Sequence, residues 1–451
     1  MDRGHVADVL AKLACRHRVP GAQLAIYREG ERFELCHGVE RVESPEPVSP
    51  RSRFAFGSVS KVFTAALAMQ LVEEGELDLD RPIGEHLGAR RIAPHHPLAA
   101  ATARQLLSHT AGLVSDHAGE PLRGTSLRRH FDSVLRQEPV GAPGTAFSYS
   151  NTGYAVAAHL VEVLTGLDWW EALEGYLAAP TGLRLAFVYD ARRPGARPAT
   201  VSGHTVEART GRVAPVDFHV EPTLAAAGGL AGGAGDLVDF ARAFMTEDDA
   251  ALAADIAAPE VLAEMARAVP AAVPFGLADG WGAGWGRYRA GDTVWLGHDG
   301  TLDGGTCNVR VHPAGRTAVA LTTNATSGLA MWEDLVVELH NAGLRVGHYH
   351  QPVPSGRPPC AVERFAGAYA NGDIAVRVAP DARGGLRFDV SNGFSGALTV
   401  GADLAFTVRP AAADGGDAAP GTAFTGRFLP GALQYNGRTL RRAGAAVRRA
   451  A

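Results

Sequence analysis

In the run Gly57-Ser58-Val59-Ser60-Lys61, Ser58 and Lys61 stand three residues apart. On a helix that spacing puts a hydroxyl and an amine one turn apart on the same face. A serine hydroxyl is a weak nucleophile at neutral pH and needs a neighbour to take its proton as it attacks a carbonyl. Lys61 can be that base only if desolvation or nearby positive charge lowers its pKa. The stretch Val62 to Val72 is almost wholly apolar, which predicts a buried rather than amphipathic helix whose first turn lies in a low-dielectric pocket. Alone the pattern is common, and most copies are helix caps followed by a solvated lysine.

Two further clusters carry matching chemistry. Tyr149-Ser150-Asn151 falls where a loop meets the start of a helix. A phenol near a lysine ammonium ionises more easily and can pass protons between the serine oxygen and a leaving group. The Asn151 amide can orient the lysine or a substrate backbone. Taken alone, Tyr149 reads as a turn tyrosine packed at the start of a helix. His298-Asp299-Gly300-Thr301 follows the strand-like Thr293 to Leu296. Its small residues let a substrate backbone approach, so the Thr301 N–H can join the Ser58 N–H in an oxyanion hole, with Gly300 beside the substrate and His298 flanking the cleft. A lone histidine beside glycine is otherwise a surface turn.

These residues need a frame. An opening helix around Val6 to Cys15 precedes a β-hairpin of Gln23 to Tyr27 and Arg32 to Leu35. The nucleophile helix ends near Gly75, a C-cap. A helical, loop-rich region runs to about Gly166 and includes a helix from Gly153 to Leu164. Strand-like segments return at Gly284 to Tyr288, Thr293 to Leu296, Cys307 to Val311 and Thr317 to Leu321, and a helix from Leu329 to Leu344 closes the unit. This order predicts one mixed sheet built from both ends of a domain spanning 1–350. A Pro-rich linker, 351–359, separates it from 360–451. There, short alternating runs at Ile374 to Val378, Leu386 to Val390 and Ala405 to Val408, separated by turns such as Asn371-Gly372-Asp373 and Asn392-Gly393, predict a small antiparallel barrel. Such a barrel is an appendage, a lid or a binding wall.

Composition excludes several classes. At 451 residues the chain exceeds one ordinary core, and 46% apolar with 20% charged residues describes a globular protein. The net charge of -5 comes from 43 basic and 48 acidic residues with no basic stripe, which argues against a nucleic-acid partner. The charged N-terminus lacks a secretory core, and no apolar run reaches the roughly 20 residues a membrane helix needs. A cytoplasmic protein with no membrane association is expected. Cys15, Cys36, Cys307 and Cys360 are far apart with no Cys-x-x-Cys pair, so they read as free thiols rather than disulfides or a metal site.

Ser-x-x-Lys, Tyr-x-Asn and His-x-Gly in this order are far more specific together. With Phe56-Gly57, the Leu106 to Leu113 segment, Pro143-Gly144 and Ala227-Gly228-Gly229-Leu230, the chain resembles the serine β-lactamase and penicillin-binding-protein superfamily over about residues 5 to 345. The resemblance implies an α/β sandwich with an all-α region. It also implies an acyl-enzyme mechanism with Ser58 as nucleophile, Lys61 as base and Tyr149 as proton relay, and no cofactor. His298-Asp299-Gly300 stands where antibiotic-processing members carry Lys-Thr-Gly, a departure shared with esterases and D-stereospecific peptidases. More narrowly, the opening His17 to Leu24, the total length and the C-terminal barrel resemble penicillin-binding-protein-type thioesterases, which carry a lipocalin-like β-barrel domain.

That narrower resemblance implies a peptide cyclase: a linear nonribosomal peptidyl thioester with a C-terminal D-residue, presented by a peptidyl carrier protein, closed head to tail by macrolactamisation. Within the barrel, Arg438 or the nearby Arg441 reaches the cleft to bind substrate, or is a solvated barrel arginine. The alternative is a cytoplasmic serine hydrolase of the same fold, a D-stereospecific peptidase, D-aminopeptidase or esterase. A non-catalytic binding protein is a third reading, which the three intact clusters disfavour.

Overall fold

The computed structural model describes residues 2–88, 92–117, 126–188, 200–207, 210–245, 255–356, 362–381, 385–410 and 423–443. The first helix, α1 (Arg3–His17), starts where the Asp2 side chain accepts from the Gly4 N–H. Strands β1 (Gly21–Arg28), β2 (Glu31–Arg41) and β3 (Ser44–Pro47) follow. The nucleophile helix α2 (Ser60–Glu73) is buried at every residue from Ser60 to Leu71. It stops at Gly75, whose φ of 75° admits the left-handed turn that returns the Glu76 N–H to Leu71 O at 2.9 Å. The next long helix, α3 (Asn151–Thr165), begins two residues before the predicted one.

Strands return as β4 (Gly280–Trp281), β5 (Gly286–Ala290), β6 (Thr293–Leu302), β7 (Gly305–His312) and β8 (Thr317–Thr323), followed by α4 (Gly328–Asn341). The eight strands form one sheet in the order β3-β2-β1-β8-β7-β6-β5-β4. Both ends of the domain contribute, as expected, because β1 pairs with β8. The sheet is antiparallel at every pairing rather than mixed. Parallel pairing demands a long crossover, whereas β5 to β8 are joined by short hairpin turns.

Alternation along β1 divides the core. Leu24 and Ile26 pack with Leu10 and Leu13 of α1 and with Trp332 and Leu335 of α4. Ala25 and Tyr27 face the opposite cluster, which contains Phe63 and Leu67 of α2 and Tyr154 of α3. The sheet is therefore covered on both faces, and α2 is held on one of them. Strand β6 runs to Leu302 instead of ending at Leu296, because its hydrogen-bonded register with β7 continues to the turn at Asp303-Gly304. His298, Asp299, Gly300 and Thr301 thus lie within a strand.

The C-terminal strands β9 (Gly367–Asn371), β10 (Ile374–Pro380), β11 (Leu386–Val390), β12 (Ser395–Val400), β13 (Ala405–Pro410), β14 (Phe424–Leu429), β15 (Ala432–Tyr435) and β16 (Arg438–Arg442) close into an antiparallel barrel. Each strand pairs with the next, and β16 returns to β9, an up-and-down arrangement with Phe388, Phe406 and Leu433 in its interior. From Gln351 to Gly356 the chain forms no helix or strand, and Arg357, Pro358, Pro359 and Cys360 lie outside the described residues. Cys15, Cys36 and Cys307 are free thiols.

The barrel is bonded to the segment that leads into α3. The Tyr149 N–H donates to Gly437 O at 2.9 Å. Gln434 Nε2 and Thr439 Oγ1 both donate to Phe147 O, at 3.1 and 2.7 Å. Buried Asn371 accepts from the Ser115 N–H at 2.7 Å and donates to Ser148 Oγ and Thr439 O. Backbone groups that neither unit satisfies alone are satisfied across this junction.

Candidate active site

Ser58 sits in a single 3₁₀ turn, Gly57–Val59, at the head of α2. Strand β6 runs directly against this turn. A β-carbon at Gly57, where φ is 51°, would lie 2.8 Å from Thr301 N, and one at Gly300 would lie 2.0 Å from Phe56 O and 3.1 Å from Ser58 N. Only glycine at both positions permits this approach, which brings the Ser58 and Thr301 backbone nitrogens to one junction. Gly300 therefore packs against the nucleophile turn.

Lys61 is fully buried. Its Nζ lies 3.1 Å from Ser58 Oγ, and it donates to Asn151 Oδ1 at 2.6 Å and to Ala227 O at 2.7 Å. Burial pushes its pKa well below the ordinary 10.5, against the Asp116 carboxylate and together with the Arg438 guanidinium. A neutral amine has two N–H donors and one lone pair. In that form the two carbonyl oxygens take the donors and the lone pair is left toward the Ser58 hydroxyl, whereas the ammonium would donate to all three oxygens. The Ala227 carbonyl is held in place because Ser60 Oγ accepts from the Leu230 N–H and Thr64 Oγ1 donates to Ala226 O.

Asn151 is the first residue of α3 because Ser150 caps the helix, its Oγ accepting from the Gly153 N–H and donating to Val114 O. Tyr149, one residue earlier, has its ring 4.9 Å from Lys61 Nζ. Burial raises its pKa above the ordinary phenol range, and the hydrogen bond from Ser58 only partly offsets this. The expected easier ionisation is thus reversed, because desolvation of the phenol outweighs the charges around it.

His109 was not singled out from the sequence. It stacks on Tyr149 at 4.2 Å, accepts from the Ser150 N–H through Nδ1 and from the Ser148 N–H through its carbonyl. It does so with φ of 59°, a left-handed conformation that surrounding contacts must hold for a non-glycine residue. His298 Nδ1 donates to Asp299 O at 2.8 Å, so Nε2 keeps its lone pair. Burial, reinforced by Lys61, pushes its pKa down to about 3. Trp281 meets His298, His109 and Tyr149 edge-on.

Asp299 was also passed over, inside the quoted motif. Arg310, fully buried, grips its carboxylate with two bonds of 2.7 and 2.9 Å, and Asn308 Nδ2 adds a third at 2.6 Å. The signal was available in hairpin register, since Asp299 lies directly opposite Asn308 and one alternate residue from Arg310.

Of the two arginines weighed in the barrel, Arg438 reaches the site. Its guanidinium stands 5.6 Å from the Tyr149 ring centroid and 3.8 Å from Asp116, which accepts from Asn151 Nδ2 at 2.6 Å. Arg441 instead pairs with Glu138 and Pro139 O. Ser58, Tyr149, Trp281, His298, Asp299, Thr301, Asn436 and Arg438 line one cavity of about 290 Å³. The barrel is therefore a wall of this cavity. Among the described residues no cluster could hold a metal ion, and no helix is long and apolar enough to cross a membrane.

Ser58 and Tyr149 thus line one cavity with the buried Lys61 behind the serine, on a sheet covered by α1 and α4 on one face and a helical region on the other. The Beta-lactamase family profile matches residues 5–339. The chain belongs to the Beta-lactamase family. It is 33% identical over 374 residues to penicillin-binding protein 4 of Amycolatopsis lactamdurans, covering 82% of this chain and 97% of that protein. It is 25% identical to the unguisins hydrolase UngD of Aspergillus violaceofuscus, covering 68% of this chain but 59% of that protein. The crystal structure of SurE superposes with a TM-score of 0.87 at 41% identity over 98% of this chain and 99% of SurE. A second SurE structure, with D-Leu, gives 0.85. The chain is accordingly an enzyme of the serine-hydrolase fold with an added C-terminal barrel.

Proposed function

We propose that this enzyme is a peptide cyclase, which takes a linear peptidyl thioester ending in a D-residue from a peptidyl carrier protein and releases it as a head-to-tail lactam. The observation that carries this reading is the cavity wall contributed by the barrel. A peptide bound as an ester to Ser58 has Asn436 and Arg438 across from it, where a wall can turn the chain back on itself. Similarity over both units to SurE, solved with D-Leu, supports the D-residue.

In the first half-reaction the Ser58 O–H gives its proton to the Lys61 lone pair as Oγ attacks the thioester carbon. The Ser58 and Thr301 N–H groups receive the developing oxyanion. The C–S bond breaks, and the thiolate takes the proton from Lys61 by way of the Tyr149 hydroxyl. Burial that lowers the lysine pKa also makes its ammonium a better acid for this return. In the second half-reaction the peptide's neutral α-amine attacks the ester carbon, the C–N bond forms and the C–O bond breaks. The amine's surplus proton returns through Lys61 and Tyr149 to Ser58 Oγ. His298, neutral with a free Nε2, offers an acceptor to that amine.

Cyclisation outruns hydrolysis only if the amine is held near the ester, where effective molarities reach about 10⁵–10⁸ M. The Arg438 charge disfavours an ammonium nearby and so favours the reactive amine. A second reading, hydrolysis of peptides or esters with D-residues, is favoured by the similarity to the unguisins hydrolase; water then takes the amine's place. Intact-protein mass spectrometry after brief exposure to matched thioesters ending in D- or L-leucine tests the shared step. An acyl adduct on Ser58 that forms preferentially from the D-substrate is expected, whereas equal labelling by the L-substrate contradicts the D-residue assignment.

A further inference from the structure

We propose that Asp116 is a positioning residue for acylation, locking the Asn151 amide so that Oδ1 faces Lys61 and linking that orientation to Arg438 of the barrel. The inference rests on the reading of Ser58 and Lys61 as nucleophile and base. An ionised carboxylate only accepts hydrogen bonds, so the amide edge 2.6 Å from Asp116 Oδ1 must be the NH₂. That leaves Asn151 Oδ1 for Lys61. A flipped amide would set its oxygen against the carboxylate and present N–H groups to Lys61. One amine hydrogen would lose its acceptor, and the lone pair would be drawn from Ser58 to the asparagine.

Asp116 is 45% exposed at its side chain. Its other oxygen faces Arg438, whose placement depends on the docked barrel. Around Lys61 stand this carboxylate, the Arg438 guanidinium, the His109 and His298 imidazoles and the Tyr149 and Tyr154 phenols. Asp116 favours the lysine ammonium and Arg438 opposes it. Removing the carboxylate therefore does two separable things: it frees the amide to rotate, and it withdraws a negative charge from the base.

The test measures the rate of Ser58 acylation by a β-lactone probe across pH, using full-length protein. Asp116→Ala should slow acylation about 10- to 100-fold, the range found when partners that orient metal ligands are lost, and should move the acid limb to lower pH. Asp116→Asn can still offer an oxygen to Asn151, so it should keep a rate within about three-fold of the original while showing the same displaced acid limb. In an Asn151→Ala background Asp116→Ala should cost nothing further, because the two act in series. An Asp116→Ala rate within about two-fold of the original with an unmoved acid limb, or equal losses in both backgrounds, overturns the proposal. If Asp116→Ala does not fold, as judged by thermal melting, the acid limb of Asp116→Asn decides. The probe reads acylation alone, so a failure of ring closure with normal labelling counts against the cyclase reading and not against this one.

Discussion

The Tyr149 N–H donates to the Gly437 carbonyl across 2.9 Å, joining the backbone of an active-site residue to a turn of the barrel. Phe147, Ser148 and Tyr149 are held on one side by His109 and on the other by the barrel. The placement of the phenol above Ser58 is thus a joint property of both units.

The buried Asn371 amide makes three hydrogen bonds at this junction. Asn371→Ala leaves the Ser115 N–H without this acceptor and removes one of two donors to Ser148 Oγ, at a cost of about 1–3 kcal/mol. A loss of unfolding free energy of that size in urea titrations is expected, together with slower acylation of Ser58. Loss of stability with a fully retained acylation rate would show that the junction does not position Tyr149.

The base must be neutral to act, so acylation should fall as pH drops through the Lys61 pKa, which burial places well below 10.5. The histidines add no limb near pH 6.5, because burial keeps His298 and His109 deprotonated there. Lys61→Ala should reduce kcat/KM by about 10²- to 10⁴-fold. A rate–pH profile whose acid limb survives Lys61→Ala unchanged would assign the base elsewhere.

Stability should respond to the same histidines. His298 titrates at about 3 when folded, against an ordinary value of 6.5. Between those values the unfolded chain binds a proton that the folded protein does not, so stability falls as pH drops below about 6.5. His298→Gln removes this contribution, and its melting temperature should decline less than that of the unaltered protein between pH 7 and pH 4. Parallel declines would mean that His298 is not held neutral.

How much of this was legible in the sequence follows from how each residue is placed. Ser58 with Lys61, and Tyr149 with Asn151, are each set by local helix geometry, so their spacing could be read, although each pattern became specific only in combination with the others and with His298-Asp299-Gly300. The barrel was legible because short alternating runs between Asn-Gly turns have few other solutions. His109, Trp281 and Asp116 come from distant segments and meet the site only through tertiary packing. The ionisation of Tyr149 was misjudged because proximity to Lys61 is visible in a motif and desolvation is not. Arg438 and Arg441 lie three residues apart on one strand and so point to opposite faces; which face met the cavity depended on docking.

Arg310 is buried against the Asp299 carboxylate, which is itself 34% exposed, and removing that carboxylate leaves a buried charge without a partner. Asp299→Ala should destabilise the enzyme by up to about 3–5 kcal/mol and Arg310→Met by less, because solvent reaches the Asp299 carboxylate, while the double substitution should recover part of the loss. Denaturant titrations of the three variants measure it. Additive losses would show that the two residues do not act as a pair.

The cyclase reading itself is tested most directly by the products formed from a synthetic linear peptidyl thioester ending in a D-residue, analysed by mass spectrometry with Ser58→Ala as the control. The account predicts a Ser58-dependent product lighter than the linear acid by one water. Linear acid as the sole Ser58-dependent product would contradict it and identify the enzyme as a hydrolase.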